Sequence, residues 1–379
     1  MEQIDYSKIR FYGRGTRLFE DGRIPLFTSG SGFALRTDSP EVTMTYTADF
    51  VAYEPWFAIW IDGVLVARQA AQRGRHEICL YRNFFSTGEV RTIRVTKETQ
   101  AFHEDPSSSF IIDSIDIAGR DAKLYDLPGP RYYFEVIGDS ITSGEGTYGR
   151  KKAMEWIPAY FSYERTYEKR LEDLMDADIS TLSVSGWGVV CSYENNPDGT
   201  LPGIYEKVCG TALGKINTHY GADDPYDFSR KNDAVIISLG TNDAGSFEKP
   251  AFVTKDGRSF QNRLNEDGSP NKEDVERFTQ GAVDFLKTVH EHNPDAFLLW
   301  VYGQVGDLLA LALEKAVSQF TEETGYRRAA FLKLLQMTEE TEGSREHPGA
   351  ASQTECARRI AEFLGGKLSE DPDKRQTDH

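Results

Sequence analysis

The chain has 379 residues, 43 of them basic against 60 acidic, for a formal charge of −17. Hydrophobic residues at 39% and aromatics at 12% suffice to bury a sizeable core and exclude wholesale disorder. The acidic balance argues against a nucleic-acid or anionic-membrane surface, since both need clustered positive charge, and favours a small-molecule substrate.

From the N-terminus, Met1-Glu2-Gln3-Ile4-Asp5-Tyr6 lacks the basic and apolar regions of a signal peptide, and no stretch has the apolar length of a bilayer span. Cys79, Cys191, Cys209 and Cys356 are scattered and contain no C-x-x-C pair. Buried reduced thiols, no metal site and a cytoplasmic location are the expectation. Residues 1–125 alternate in period two between turn residues, as in Val42–Thr47, Trp56–Ile61 and Arg91–Val95, with Asp62-Gly63 as a hairpin signal. This pattern predicts an antiparallel β-sandwich of jelly-roll type, with Trp56 and Trp60 on one strand face in its core. Asp126–Pro130 reads as a short linker.

From residue 131 to 368 the pattern changes. Near-continuous apolar runs predict strands over Tyr132–Ile137, Ile179–Val184, Ala234–Leu239, Ala296–Tyr302 and Ala330–Leu335. A helix between the third and fourth presents Val275, Phe278, Ala282, Leu286 and Val289, and a last helix presents Cys356, Ile360, Phe363 and Leu364. Strands covered on both faces and separated by helices predict a parallel sheet in a three-layer α/β/α domain. Residues 369–379 are polar and read as a frayed tail.

In such sheets ligands collect at the carboxyl ends of the strands. Three strands end there in small polar residues: Gly138-Asp139-Ser140, Ser185-Gly186-Trp187-Gly188 and Gly240-Thr241-Asn242-Asp243. Ser140 on a tight turn fits a nucleophile, and the amides of Ser140 and Gly186 with the Asn242 side chain fit oxyanion donors. Of seven histidines, His347 alone stands between the last strand and the last helix, followed by Pro348, and it is the candidate base. His290 and His292 at a polar helix end, and His219, read as solvated. Gly144-Glu145-Gly146-Thr147-Tyr148-Gly149 matches a dinucleotide fingerprint by letter only, since no helix opens at it, and reads as a flexible loop. Trp187, Trp300 and Tyr302 are candidate ring-stacking residues, and the segment from Gly245 to about Lys272 is a candidate lid or rim loop.

The order Gly-Asp-Ser, Gly, Gly-x-Asn-Asp and a late His-Pro resembles the SGNH (GDSL) hydrolase superfamily. With a β-sandwich ahead of it, the chain further resembles carbohydrate esterase family 2. The resemblance implies Ser140 as nucleophile, His347 as general base, Ser140, Gly186 and Asn242 as the oxyanion hole, Asp139 and Asp243 as structural supports, and no cofactor or metal. It implies an acetylesterase acting on xylo- or manno-oligosaccharides. Without a signal peptide these are expected to be imported ones, and the acidic charge predicts no nucleic-acid or membrane partner. Where the superfamily has Asp three residues before the histidine, this chain has Ser344. A Ser–His dyad with a backbone carbonyl orienting the ring is the expected arrangement, ahead of substitution by Glu342 or Glu346. The alternatives are a lipid or thioester esterase of the same superfamily and a carbohydrate-binding protein without catalysis.

Overall fold

The computed structural model describes residues 4–85 and 88–369. The chain forms two compact units. One is built on the residues up to Pro130 with Trp156–Glu164 and Lys207–Asp227, the other on Arg131–Glu155, Arg165–Glu206 and the residues from Phe228 onward.

The first unit is antiparallel. Its strands are β1 (Arg10–Tyr12), β2 (Ile24–Pro25), β3 (Gly32–Thr37), β4 (Glu41–Asp49), β5 (Trp56–Ile61), β6 (Val64–Ala70), β7 (Gly74–Arg82), β8 (Arg91–Lys97), β9 (Ser109–Ile117) and β10 (Leu124–Tyr125). They make two sheets, β1-β3-β8-β5-β6 with β10 also on β3, and β2-β9-β4-β7. Alternation puts Phe33, Leu35, Phe57, Ile59, Ile93 and Val95 of the first sheet into one core with Met44, Tyr46, Phe110 and Ile112 of the second. Asp62-Gly63 turns β5 into β6, with both φ values positive.

One expectation fails on β5. The sandwich core takes Phe57 and Ile59, so Trp56 and Trp60 lie on the opposite face. There Trp60 Nε1 donates to Thr96 Oγ1 at 3.3 Å, and the Arg68 guanidinium lies 4.4 Å over the Trp56 ring. Two segments assigned by sequence to the α/β domain also belong here. Val208, Cys209, Ala212, Tyr220 and Ala222 share a cluster with Phe27 and Ile111, while Ser162 Oγ donates to the buried Glu98 at 2.7 Å.

The second unit opens with β11 (Tyr132–Gly138), α1 (Tyr167–Met175) and β12 (Ala177–Ser183). The short α2 (Lys215–His219) belongs to the first unit. Then come β13 (Ala234–Ser238), α3 (Thr241–Ser246), β14 (Phe252–Val253), β15 (Ser259–Phe260), α4 (Lys272–His292), β16 (Phe297–Tyr302), α5 (Ala310–Thr324), β17 (Ala329–Lys333) and α6 (Ala350–Ser369). The main sheet runs β12-β11-β13-β16-β17, every pair parallel. Ile137, Val235, Ile237, Leu298 and Trp300 face α4 and α5, whereas Phe134, Val136, Ile236, Leu299 and Val301 face α1 and α6. Both faces are thus covered, which explains the continuous apolar runs. Ser369 closes α6, and the expected frayed tail otherwise lies outside the described residues.

The face reversal on β5 is testable by denaturation. Phe57→Ala is expected to cost about 3–5 kcal/mol, the range for truncating a buried aromatic. Trp56→Ala, losing only a half-buried ring, is expected to cost about 1 kcal/mol; equal costs would restore the original assignment.

Candidate active site

Parallel register sets the site. Gly138 at the end of β11 sits opposite Ser183 of β12 and Ser238 of β13. The chain leaving these three neighbours therefore delivers Ser140, Gly186 and Asn242 to one rim. Asn242, in the first turn of α3, ties the three loops: its Nδ2 donates to Trp187 O at 2.9 Å and to Asp139 Oδ2 at 3.3 Å. Among the described residues no acceptor takes the backbone N–H of Ser140 or of Gly186. Two unpaired amides and a side-chain amide on one rim are the donor set an oxyanion requires.

His347 reaches this rim from the loop between β17 and α6. Its Nδ1 lies 2.6 Å from Arg345 O, and because a carbonyl can only accept, Nδ1 carries the proton. Nε2 is left as an acceptor, and Ser140 Oγ donates to it at 2.7 Å. The structure thus joins two residues 207 positions apart in sequence. Ser344, at the position of the missing acid, is fully buried and donates its hydroxyl to Tyr148 O at 2.8 Å. The carbonyl that orients the ring is presented by an unusual backbone: Arg345 and Glu346 are both left-handed, with φ of 56° and 58°. Such residues cost of order 1 kcal/mol each and persist only where surrounding bonds over-determine them. Those bonds are Gly343 N–H to His347 O (2.7 Å), Ser344 N–H to Gly146 O (2.9 Å) and Arg345 N–H to Ala153 O (2.7 Å).

Two buried carboxyls organise the loops. Asp243 accepts from the amides of Val189 (2.9 Å) and Val190 (2.9 Å), just beyond Gly186. Asp139 accepts from Ile141 N–H at 3.0 Å and so shapes the turn carrying Ser140. Burial pushes Asp139 up to about 7, opposed by the Ile141 amide and reinforced by the Asp243 and Glu145 charges. Burial likewise pushes Asp243 up to about 6, against the lowering by its amide donors. Gln353, in the first turn of α6, bridges the nucleophile turn to α1: it donates to Ile141 O at 2.9 Å and accepts from Tyr167 N–H at 3.0 Å.

Several expectations need correction. Trp300 is fully buried, with Nε1 donating to Leu239 O at 3.0 Å, and Tyr302 is 4% exposed; both are core residues and neither can stack on a ligand. Trp187 is half-buried against the same core. Tyr193, which the sequence reading missed, is 43% exposed. Its amide donates to Gly186 O at 2.8 Å, and its ring lies against Gly245 with Lys249 Nζ 4.3 Å from the centroid. The Gly144–Gly149 segment is not a flexible loop: residues 144–147 are buried, and a Cβ on Gly146 would sit 2.4 Å from Ser344 O. That close approach is why glycine is needed there. The 245–272 segment contains the β14–β15 hairpin and is pinned by Asn195, whose Nδ2 donates to Ser246 O at 2.9 Å. His290 and His292 are half-buried: His292 stacks on Phe228 and His290 lies tilted against Tyr326, each pair at 4.0 Å. Cys191, Cys209 and Cys356 are buried, whereas Cys79 is exposed. Among the described residues no cluster of His, Cys, Asp or Glu could hold a metal ion, and no helix is long and apolar enough to cross a membrane.

A three-layer α/β/α unit with a serine, a carbonyl-oriented histidine and unpaired amides on one rim defines an acyl-transferring hydrolase of the SGNH type. Residues 134–350 match the family model of the GDSL-like lipase/acylhydrolases, and the chain belongs to that family of carboxylic ester hydrolases. Among solved structures, it is similar to the acetyl xylan esterase Est2A from the rumen bacterium Butyrivibrio proteoclasticus, at 34% identity over 97% of this chain and 96% of that one, with a TM-score of 0.92. The family two carbohydrate esterase from Clostridium thermocellum, in complex with cellohexaose, shares the fold at 20% identity, 95% and 99% coverage and a TM-score of 0.77. That from Cellvibrio japonicus does so at 16% identity, 96% coverage of each chain and a TM-score of 0.74. The chain thus resembles the family 2 carbohydrate esterases in both of its units. No curated protein matches it in sequence.

Asp139 makes stability depend on pH. The folded protein holds that proton up to about 7 whereas an unfolded aspartate releases it near its ordinary 3.8, so raising the pH through this window favours unfolding. The unfolding free energy is expected to fall from pH 4 to 7, by up to about 4 kcal/mol from this group at 1.36 kcal/mol per pH unit. Urea titrations at several pH values should show a shallower decline in Asp139→Asn.

Proposed function

We propose that the protein is a serine esterase that removes O-acetyl groups from carbohydrates, with short oligosaccharides as substrate. The 2.7 Å contact from Ser140 Oγ to His347 Nε2 carries this reading. Ser140 Oγ attacks the acetyl carbonyl carbon as its proton passes to His347 Nε2. The carbonyl oxygen becomes an oxyanion, held by the Ser140 and Gly186 amides and by Asn242 Nδ2, which gives up its long 3.3 Å contact to Asp139. The tetrahedral species collapses, the C–O bond to the sugar breaks, and His347 returns its proton to the sugar oxygen. Water then attacks the acetyl-Ser140 carbonyl, with His347 again taking a proton and passing it back to Ser140 Oγ as acetic acid leaves and ionises in solvent. Throughout, the Arg345 carbonyl holds Nδ1–H and favours the imidazolium, a role filled by a carboxylate in a triad.

The sugar assignment draws on Est2A, an acetyl xylan esterase at 34% identity, and on the cellohexaose-bound relative. Tyr193, exposed and rigidly backed beside Gly186, and the half-buried Trp187 are the residues suited to stack on a sugar ring. Four free cysteines suit action in a reducing compartment, the cytoplasm.

Acetate release from 4-nitrophenyl acetate and from acetylated xylo- and manno-oligosaccharides tests the reading. Ser140→Ala and His347→Ala are each expected to lower kcat at least about a thousandfold, in line with removal of a nucleophile or base. Sugar deacetylation that survives in Ser140→Ala would sink it, and a rate rising from acetyl to octanoyl esters would point to a lipid esterase. Tyr193→Ala is expected to raise KM for the oligosaccharides roughly tenfold, the value of one ring contact. The same variant should leave KM for 4-nitrophenyl acetate unchanged.

A further inference from the structure

His347 lacks a carboxylate from the segment that precedes it, but one reaches the ring from the other side of the site. Glu145, five residues beyond the nucleophile and 2% exposed, places Oε2 at 3.7 Å from His347 Nε2. Its Oε1 accepts from Arg345 Nε at 2.5 Å. Arg345 is the residue whose carbonyl holds Nδ1, and its Nη1 donates onward to Met154 O at 2.7 Å. One carboxylate therefore touches both ends of the problem: the left-handed residue that aims the ring, and the nitrogen that gains a proton during the reaction.

The distances divide the work. At 3.7 Å the contact to Nε2 is too long for a hydrogen bond, so Ser140 keeps that bond and Glu145 acts on the ring through charge. The groups that meet the ring are Ser140 from the nucleophile turn, Glu145 from the loop after it, and Arg345 through its carbonyl; Asp139 lies within range of the Glu145 charge, and Glu346, next to the histidine in sequence, is exposed. A lone Arg345 guanidinium would oppose a second cation forming on the imidazole. Paired with Glu145 it does not, and the desolvated setting strengthens that compensation.

We propose that Glu145 is the positioning residue that replaces the absent acid: with Arg345 it fixes the orienting carbonyl, and with its second oxygen it favours the imidazolium. The inference rests on the serine-esterase reading above. It assigns to one buried side chain two tasks that a triad aspartate performs from the opposite ring nitrogen.

The experiment uses Glu145→Gln and Glu145→Asp in the full chain, with kcat and KM for 4-nitrophenyl acetate from pH 5 to 9. The His347 ring is titrated in parallel by carbon-13 NMR, its signal identified by its loss in His347→Asn. For Glu145→Gln we expect kcat to fall roughly tenfold to a hundredfold, within the range for general-base support, with KM nearly unchanged. The acid limb of kcat and the NMR midpoint should both move to lower pH by roughly half a unit or more, since removing a neighbouring anion makes the imidazolium harder to form. Glu145→Asp should restore part of each. An unmoved midpoint in Glu145→Gln, or an unchanged kcat, overturns the proposal and leaves Glu145 as loop packing. If the Gln variant does not fold, Glu145→Ala, which also removes the charge, is read by the same criterion. The titration needs no turnover, so it reads Glu145 independently, while absence of Ser140-dependent hydrolysis in the parent would count against the esterase reading itself.

Discussion

An imidazole can serve as a base only if something fixes which nitrogen carries the proton and where the other one points. Here the Arg345 carbonyl does both, at 2.6 Å from Nδ1, and the loops around it support that one bond. The carbonyl faces the ring because Arg345 and Glu346 adopt a backbone that non-glycine residues avoid. They are held there by hydrogen bonds from the Ser344 and Arg345 N–H groups to the Gly146 and Ala153 carbonyls, by the buried Ser344 hydroxyl on Tyr148 O and by the Glu145 carboxylate. Replacing an aspartate by a backbone acceptor therefore does not simplify the site. It moves the burden from one side chain to a network of loop contacts.

The same rim holds two buried acids that accept hydrogen bonds from backbone amides of the loops. Asp139 and Asp243 are fully buried, and burial drives both toward the neutral form. Their work is to collect backbone amides from Ile141, Val189 and Val190, which stops those donors from wandering and leaves the Ser140 and Gly186 amides unclaimed. A preorganised oxyanion site needs such selective starvation of donors: most are satisfied, and a chosen few are not.

The parallel sheet and the rim were legible because both leave local marks. Strands covered on two faces read as unbroken apolar runs, and strand ends that must turn sharply read as Gly, Ser, Asn and Asp. Depth leaves no such mark. Trp300 and Tyr302 are aromatic in either setting, and only the packing of α4 and α5 shows that they are inside. Period two on β5 fixed that Trp56 and Trp60 share a face but could not say which face was inward. The segments around Phe161 and Tyr220 look like ordinary loop within the α/β stretch, and their apolar residues pack with partners more than fifty positions away. Glu145 was hidden in the same way: its partner Arg345 is 200 residues distant, and the glycines beside it suggested mobility where Gly146 in fact permits close approach. For α5 a signal existed, since Leu313, Ala316, Val317 and Phe320 keep helical spacing before Gly325.

Gln353 gives this architecture a temporal side. Its one amide joins the carbonyl after the nucleophile to the start of α1, and it sits on the last helix, six residues past His347. During synthesis the serine emerges from the ribosome some two hundred codons before either residue that completes its surroundings. A nascent chain thus carries an unarmed hydroxyl, and hydrolytic competence arrives only when the final helix docks. Catalysis in this fold is a readout of finished assembly.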